Sequence, residues 1–248
     1  MTRQRAGLII TAACCLAAPA AFAAQMSFTG TARTYAGETL YLEQHAVAGT
    51  CESGVFQPQE HSIAYQRPDR DHAFASKDLN YSDSVLRPAV DFRQPEFDES
   101  LSIEYPEPNT LVINWQMPAG ESRTFDVPFS EKVVVDAGFD NFVRRNWRAV
   151  LNGESVEFRF LGPTRGEHYE FVLESTESSK VTADHVVQIR PTGMVLRFLV
   201  DPIILGYNAR GALTDYYGLT NIRKNNDANY TAHIQYSVSN WPDCELTP

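Results

Sequence analysis

Along most of the chain apolar and polar residues alternate with a period of two, the spacing of a strand with one buried and one wet face. Residues 155–161 set Val156, Phe158 and Phe160 against Glu157 and Arg159, and residues 168–174 set Tyr169, Phe171 and Leu173 against Glu170 and Glu174. Tyr230, Ala232, Ile234 and Tyr236 alternate likewise near the C-terminus. Shorter runs at 27–35, 40–45, 61–65, 72–81, 111–115, 124–129, 131–135, 181–190, 203–207 and 212–222 carry the β-branched and aromatic content of strands, bounded by Gly, Pro, Asn and Asp clusters. No fixed-period repeat links them, which disfavours a propeller or solenoid.

One stretch departs from period two. At about 100° per residue, Phe139, Phe142, Val143, Trp147, Val150 and Leu151 share one side of a helix, and Arg144, Arg145 and Arg148 share the other. Asp136 is placed to cap it, Asp140 stands four residues before Arg144, and Asn152-Gly153 supplies a stop. The arginines read as its wet face, the alternative being recognition of an acidic group. Residues 191–200 fit either a buried strand or a short helix begun by Pro191, with the helix preferred. Residues 46–60 lose the alternation and hold Gly49, Cys51, Gly54 and Pro58, so they read as a loop. Pro88, Pro95, Pro106 and Pro108 make 82–108 read as an irregular surface excursion, the predicted site of first proteolytic cutting.

The pattern therefore predicts a mainly β (α+β) fold. Its centre is a strongly curved antiparallel sheet or half-barrel of about ten strands packed on one amphipathic helix. Residues 1–23 read as a secretory signal peptide, with Arg3 and Arg5 before an apolar run that ends in Ala21-Phe22-Ala23. Cys14 and Cys15 lie inside that run, with Thr11 rather than leucine three residues before Cys14, which disfavours lipid attachment. Residues 24–248 then form a single β-rich domain, secreted or periplasmic, with no further apolar run long enough to span a membrane.

Loss of the leader takes away two arginines and no acid, moving the net charge from −10 to −12. An acidic surface argues against nucleic-acid and anionic-lipid partners. Two cysteines remain, Cys51 and Cys244. An even pair in an oxidising compartment reads as a disulfide, with two free or intermolecular thiols as the alternative. The bridge would tie a C-terminal tail to the loop after the first hairpin.

Chemistry is sparse. The chain has no H-E-x-x-H, G-x-S-x-G, G-x-x-x-x-G-K-[ST] or G-x-G-x-x-G motif, so no catalytic residue is assigned. His45, His61, His72, His168, His185 and His233 are scattered singly, none at metal-ligand spacing, and no metal or cofactor is expected. Asp69, Asp71 and His72 form a dense polar cluster that reads as a solvated turn, and Glu96, Asp98 and Glu99 are acids whose spacing nothing fixes.

The strings VDAGFDNFV at 135–143, DPIIL at 201–205 and YGLTNI at 217–222 resemble uncharacterised secreted proteins of Gram-negative bacteria. Those are loosely similar to periplasmic proteins of the lipoprotein-carrier type, in which an antiparallel sheet folds around helices. The resemblance covers the second half of the mature chain and implies a fold and a compartment, not residue roles. Trp147, Phe158, Phe160, Tyr169, Phe171, Tyr230 and Tyr236 either line a cavity for an apolar ligand or fill the core. Three function classes follow: a periplasmic binding or carrier protein for an apolar or lipid-like ligand, an envelope structural or assembly protein, and a hydrolase with an unfamiliar site. Neither the oligomeric state nor the identity of a partner is encoded legibly.

Overall fold

The computed structural model describes residues 24–193 and 201–248. The leader at 1–23 and residues 194–200, which hold most of the helix predicted after Pro191, lie outside them. The strands are β1 (Ala24–Arg33), β2 (Thr39–Glu52), β3 (Val55–Gln66), β4 (Ala73–Asn80), β5 (Ala89–Gln94), β6 (Glu99–Glu107), β7 (Thr110–Gln116) and β8 (Ser122–Pro128). After β9 (Val133–Val134) come the helices α1 (Gly138–Arg145) and α2 (Trp147–Leu151). The chain continues through β10 (Val156–Gly162), β11 (Glu167–Ser175), β12 (His185–Pro191), β13 (Ile203–Tyr207), β14 (Leu213–Arg223) and β15 (Asn229–Asn240).

All fifteen belong to one sheet, ordered β8-β7-β6-β5-β4-β3-β2-β1-β15-β14-β13-β12-β11-β10-β9. Sequence neighbours pair antiparallel, β1 also pairs with β15, and β9 pairs parallel with β10 through the α1–α2 crossover. The sheet's two edge strands, β8 and β9, are joined by residues 129–132 alone. At most about 3.6 Å per residue, that link holds the edges within roughly 18 Å, so the sheet must coil almost into a barrel. It stays unclosed, because no ladder joins β8 to β9. Side chains meet across the seam instead: His168 Nε2 lies 3.1 Å from the Pro128 carbonyl, and Phe125 occupies the space a Cβ on Gly166 would need.

One end of the coil is plugged. Helix α1 reaches from the β4–β5 connection, where Asn141 Nδ2 donates to the Val85 carbonyl at 3.0 Å, to the β13–β14 turn, where Arg144 Nε donates to the Gly211 carbonyl at 3.0 Å. The C-terminal tail crosses the same end. Glu245 bridges the β2–β3 turn through Phe56 N–H to Glu245 O at 2.8 Å and Glu245 N–H to Gly54 O at 2.9 Å. Leu246 packs there with Met26, Val47, Phe56 and Ala212. The expected Cys51–Cys244 disulfide closes this end, with Cα atoms 6.0 Å apart.

The mainly β class and the curved sheet stand; several finer expectations are corrected. Among the described residues fifteen strands replace about ten. Residues 46–60 are not a loop: β2 and β3 run through them and turn at Ser53-Gly54, both at positive φ (52° and 84°), so Cys51 lies on a strand. Pro58 fits because it faces the bulge at Ala48/Gly49. The excursion at 82–108 carries β5 and the whole of β6, since Pro88 precedes a strand, Pro95 opens a 3-10 turn, Pro106 sits at a register shift and Pro108 lies in a turn. Pro191 closes β12 rather than opening a helix.

The single helix is two. The Asn146 side chain donates back to the Phe142 carbonyl at 2.8 Å and breaks the run between α1 and α2, as a short amide competing for the backbone does. Phe142, Val143, Trp147 and Val150 pack on Phe158, Phe171, Leu173, Val187, Leu205 and Tyr207 as predicted. Leu151 is exposed and Arg144 is buried, held at 2.8 Å by Asp140 and by the Gly211 carbonyl, so Arg144 is not part of a wet face. Asp136 makes no N-cap for α1; its carboxylate goes to Lys77.

Candidate functional site: a cavity inside the coiled sheet

Strand alternation points every second side chain of the coil inward, and fifteen strands enclose more room than those side chains fill. The remainder is a half-enclosed cavity of about 640 Å³, within the roughly 300–1,000 Å³ of small-molecule sites. Asp140, Asn141 and Arg144 of α1 contribute to its wall at the plugged end. Pro163, Thr164 and Arg165 of the β10–β11 turn, with Asp201, Leu219 and Asn221, line it at the opposite end.

The walls are apolar in the main. Phe28, Ile63, Phe92, Leu101, Ile103 and Ile234 come from the first half of the sheet and β15, Ile203 and Leu213 from the second half, and Phe139 from α1. Of the seven aromatic residues singled out in the sequence, Phe160, Tyr169, Phe171 and Tyr236 line the cavity. Trp147 and Phe158 instead fill the core beneath the helices, Trp147 edge-on to Tyr207 and Phe158 against Phe142. Tyr230 packs against the first-half core beside Tyr41. Four members of the set thus face the cavity, and three lie in packed core.

Three ion pairs in the wall compensate their own charges. Lys77 Nζ contacts both Asp136 oxygens at 2.8 and 3.0 Å, and Asn221 Nδ2 donates to the same carboxylate at 3.1 Å. Arg144 pairs with Asp140, which also accepts from the Tyr207 hydroxyl at 3.0 Å. Arg223 grips Glu99 with two bonds of 2.6 and 2.8 Å, while Trp115 Nε1 and Gln94 Nε2 saturate the remaining lone pairs. Buried pairs so satisfied offer a ligand no free charge. Glu99 is thus a buried structural anchor, Glu96 is an exterior partner of Arg67 at 2.7 Å, and Asp98 sits in the intervening turn, so the three acids form no acid–base pair. Asp69, Asp71 and His72 lie in the exposed β3–β4 turn.

A group the sequence did not reveal lies on the β1–β2–β3 wall. Glu43, His45 and His61 are buried at 5%, 8% and 8% exposure. His45 Nε2 meets Glu43 Oε2 at 2.9 Å, His45 Nδ1 meets His61 Nε2 at 2.9 Å, and the Tyr236 hydroxyl donates to Glu43 at 3.0 Å. Phe28 stacks on His45, centroids 4.1 Å apart. Burial pushes His61 well below its ordinary value, with His45, Lys77 and Arg144 adding to the effect. Burial likewise raises the Tyr236 hydroxyl well above its ordinary value, with Glu43 next in importance.

Among the described residues no cluster of three or more His, Cys, Asp or Glu is placed to hold a metal ion, and no helix is long and apolar enough to cross a membrane. Compared with known proteins, the chain matches no family model, no curated protein and no solved structure.

Proposed function

We propose that the protein binds, and in that sense carries, an apolar or lipid-like ligand inside the coiled sheet. The observation behind this reading is the cavity of about 640 Å³, walled by Phe28, Phe160, Phe171, Ile63 and Leu101 and plugged at one end. A protein gains nothing in stability from such a space, since the apolar side chains around it forgo the contacts that a filled core would give them. A ligand that fills it recovers that loss. Ion pairs at Lys77, Arg144 and Arg223 compensate those charges within the wall, and the Glu43 carboxylate adds a negative one, which suits a neutral chain better than an anionic solute.

The compartment is proposed as periplasmic or extracellular. The leader pattern at 1–23 and the Cys51–Cys244 bridge support it, because disulfides persist in oxidising surroundings. The resemblance to carrier-type periplasmic proteins points the same way. An envelope assembly protein without a small-molecule site has no use for the cavity. Among the described residues no hydroxyl or thiol is hydrogen-bonded to His61, so nothing at this histidine favours the hydrolase reading.

Native mass spectrometry of protein released from the periplasm tests the reading. The expected result is a second species heavier by the mass of one hydrocarbon-rich molecule, removed by organic extraction. A bare mass, combined with failure of the extracted protein to take up a straight-chain alcohol, contradicts it.

A further inference from the structure

The Glu43–His45–His61 chain has a direction. With Glu43 ionised and His45 neutral, the carboxylate only accepts hydrogen bonds and His45 presents its Nε2 proton to Glu43, which also accepts from the Tyr236 hydroxyl. His45 Nδ1 is then bare and must accept the Nε2 proton of His61, 2.9 Å away. This leaves His61 Nδ1 without a proton, and among the described residues nothing donates to it. A 92% buried imidazole thus stands in the cavity wall with one acceptor atom unused. His61 Nδ1 is not among the fully buried unpartnered side-chain atoms, so part of its surface stays accessible, and His61 lines the cavity, where that acceptor can meet whatever enters.

We infer that His61 Nδ1 is the polar anchor of the cavity, and that the ligand is a neutral amphiphile whose head group donates a hydrogen bond, a hydroxyl or an amide N–H. The inference rests on the proposed binding of an apolar ligand. The Glu43 carboxylate disfavours an anionic head group beside the anchor. The imidazole also stays neutral under ordinary conditions, because burial and the nearby Lys77 and Arg144 oppose a second proton on it. Phe28, stacked on His45 and 5.9 Å from His61, gives the first carbons of the chain an apolar surface beside the anchor.

Displacement of the fluorophore N-phenyl-1-naphthylamine by two probes of equal chain length separates anchor from cavity. The two are 1-decanol, which donates a hydrogen bond, and 1-methoxydecane, which does not. In the native protein the alcohol is expected to displace the fluorophore at about three- to tenfold lower concentration. In His61→Phe, which keeps an aromatic ring and removes the acceptor, the two are expected to compete equally. Equal competition in the native protein overturns the anchor and leaves the cavity reading standing. A preference that survives His61→Phe overturns the assignment to His61. If neither probe competes and the fluorophore does not bind, the cavity reading fails as well. The native comparison decides the matter even where His61→Phe folds poorly.

Discussion

Gly30 sets how closely the polar groups of the cavity wall approach one another. It pairs with Glu43 on one side and with Tyr236 on the other, and the hydroxyl-to-carboxylate bond closes over it. A Cβ there would lie 2.7 Å from the Tyr236 ring and 3.1 Å from the Glu43 carboxylate. Gly30→Ala is expected to cost about 1–3 kcal/mol in urea denaturation, the usual range for overpacking; a change within about 0.5 kcal/mol would show that the ring gives way freely. The histidine pair beside it illustrates what sequence spacing conceals. His45 and His61 are sixteen residues apart and look unrelated, yet His45 faces Ile63 and His61 faces Val47, which makes them diagonal neighbours on one face. Ser53-Gly54 was the available signal. A two-residue turn there, carried back past one bulge, places both imidazoles on the inner face with Glu43.

At the scale of elements, the helix is legible in its buried half apart from Leu151, and in its wet half apart from Arg144. Period 3.6 located Phe142, Val143, Trp147 and Val150 correctly, because the face that packs on β10 to β13 must be apolar. Charge alone did not distinguish Arg144, which a backbone carbonyl 67 residues away holds inside the fold, from Arg145 and Arg148, which are exposed. Trp147→Ala is expected to cost about 3–5 kcal/mol by chemical denaturation, whereas Leu151→Ala, at a position 39% exposed, should cost well under half as much. Equal costs would mean that the two residues share one environment. Strands with clear alternation were legible from Val156 to Ser175. Those carrying proline were not, because the tolerance of Pro58 and Pro106 depends on bulges that only the partner strand defines.

For the molecule as a whole, the ionisable groups inside the coil define a window of stability. Burial holds His61 below its ordinary value of 6.5, so below that pH the unfolded chain takes up a proton that the folded chain resists. Stability from this group is complete above about 6.5 and declines as pH falls. Burial raises Tyr41, Tyr65, Tyr81, Tyr207 and Tyr236 above 10.0, so their contribution is complete below that value and is lost as pH rises through it. Denaturation midpoints should therefore plateau between about pH 6.5 and 10, and His61→Phe should flatten the acid limb. An unchanged acid limb would show that other groups set it. The bridge between Cys51 and Cys244 acts at the same scale, since it closes a loop of 193 residues and pins the tail over the plugged end. The chain-entropy limit for such a loop is about 4–5 kcal/mol, so reduction should lower the melting temperature by roughly 10 °C; an unchanged value would mean that the tail holds without it.

The central claim is that the space inside the coil is a binding site rather than a packing defect. The most direct measurement is methyl NMR of the isotope-labelled protein saturated with 1-decanol, reading intermolecular NOEs from the alkyl chain. The expected contacts are to the cavity-wall methyls of Ile63, Leu101 and Ile203, with none to Val150, Leu173 or Ile189 in the core beneath the helices. Absence of NOEs to the wall methyls at saturating alcohol, or contacts confined to residues outside the cavity, would contradict the claim.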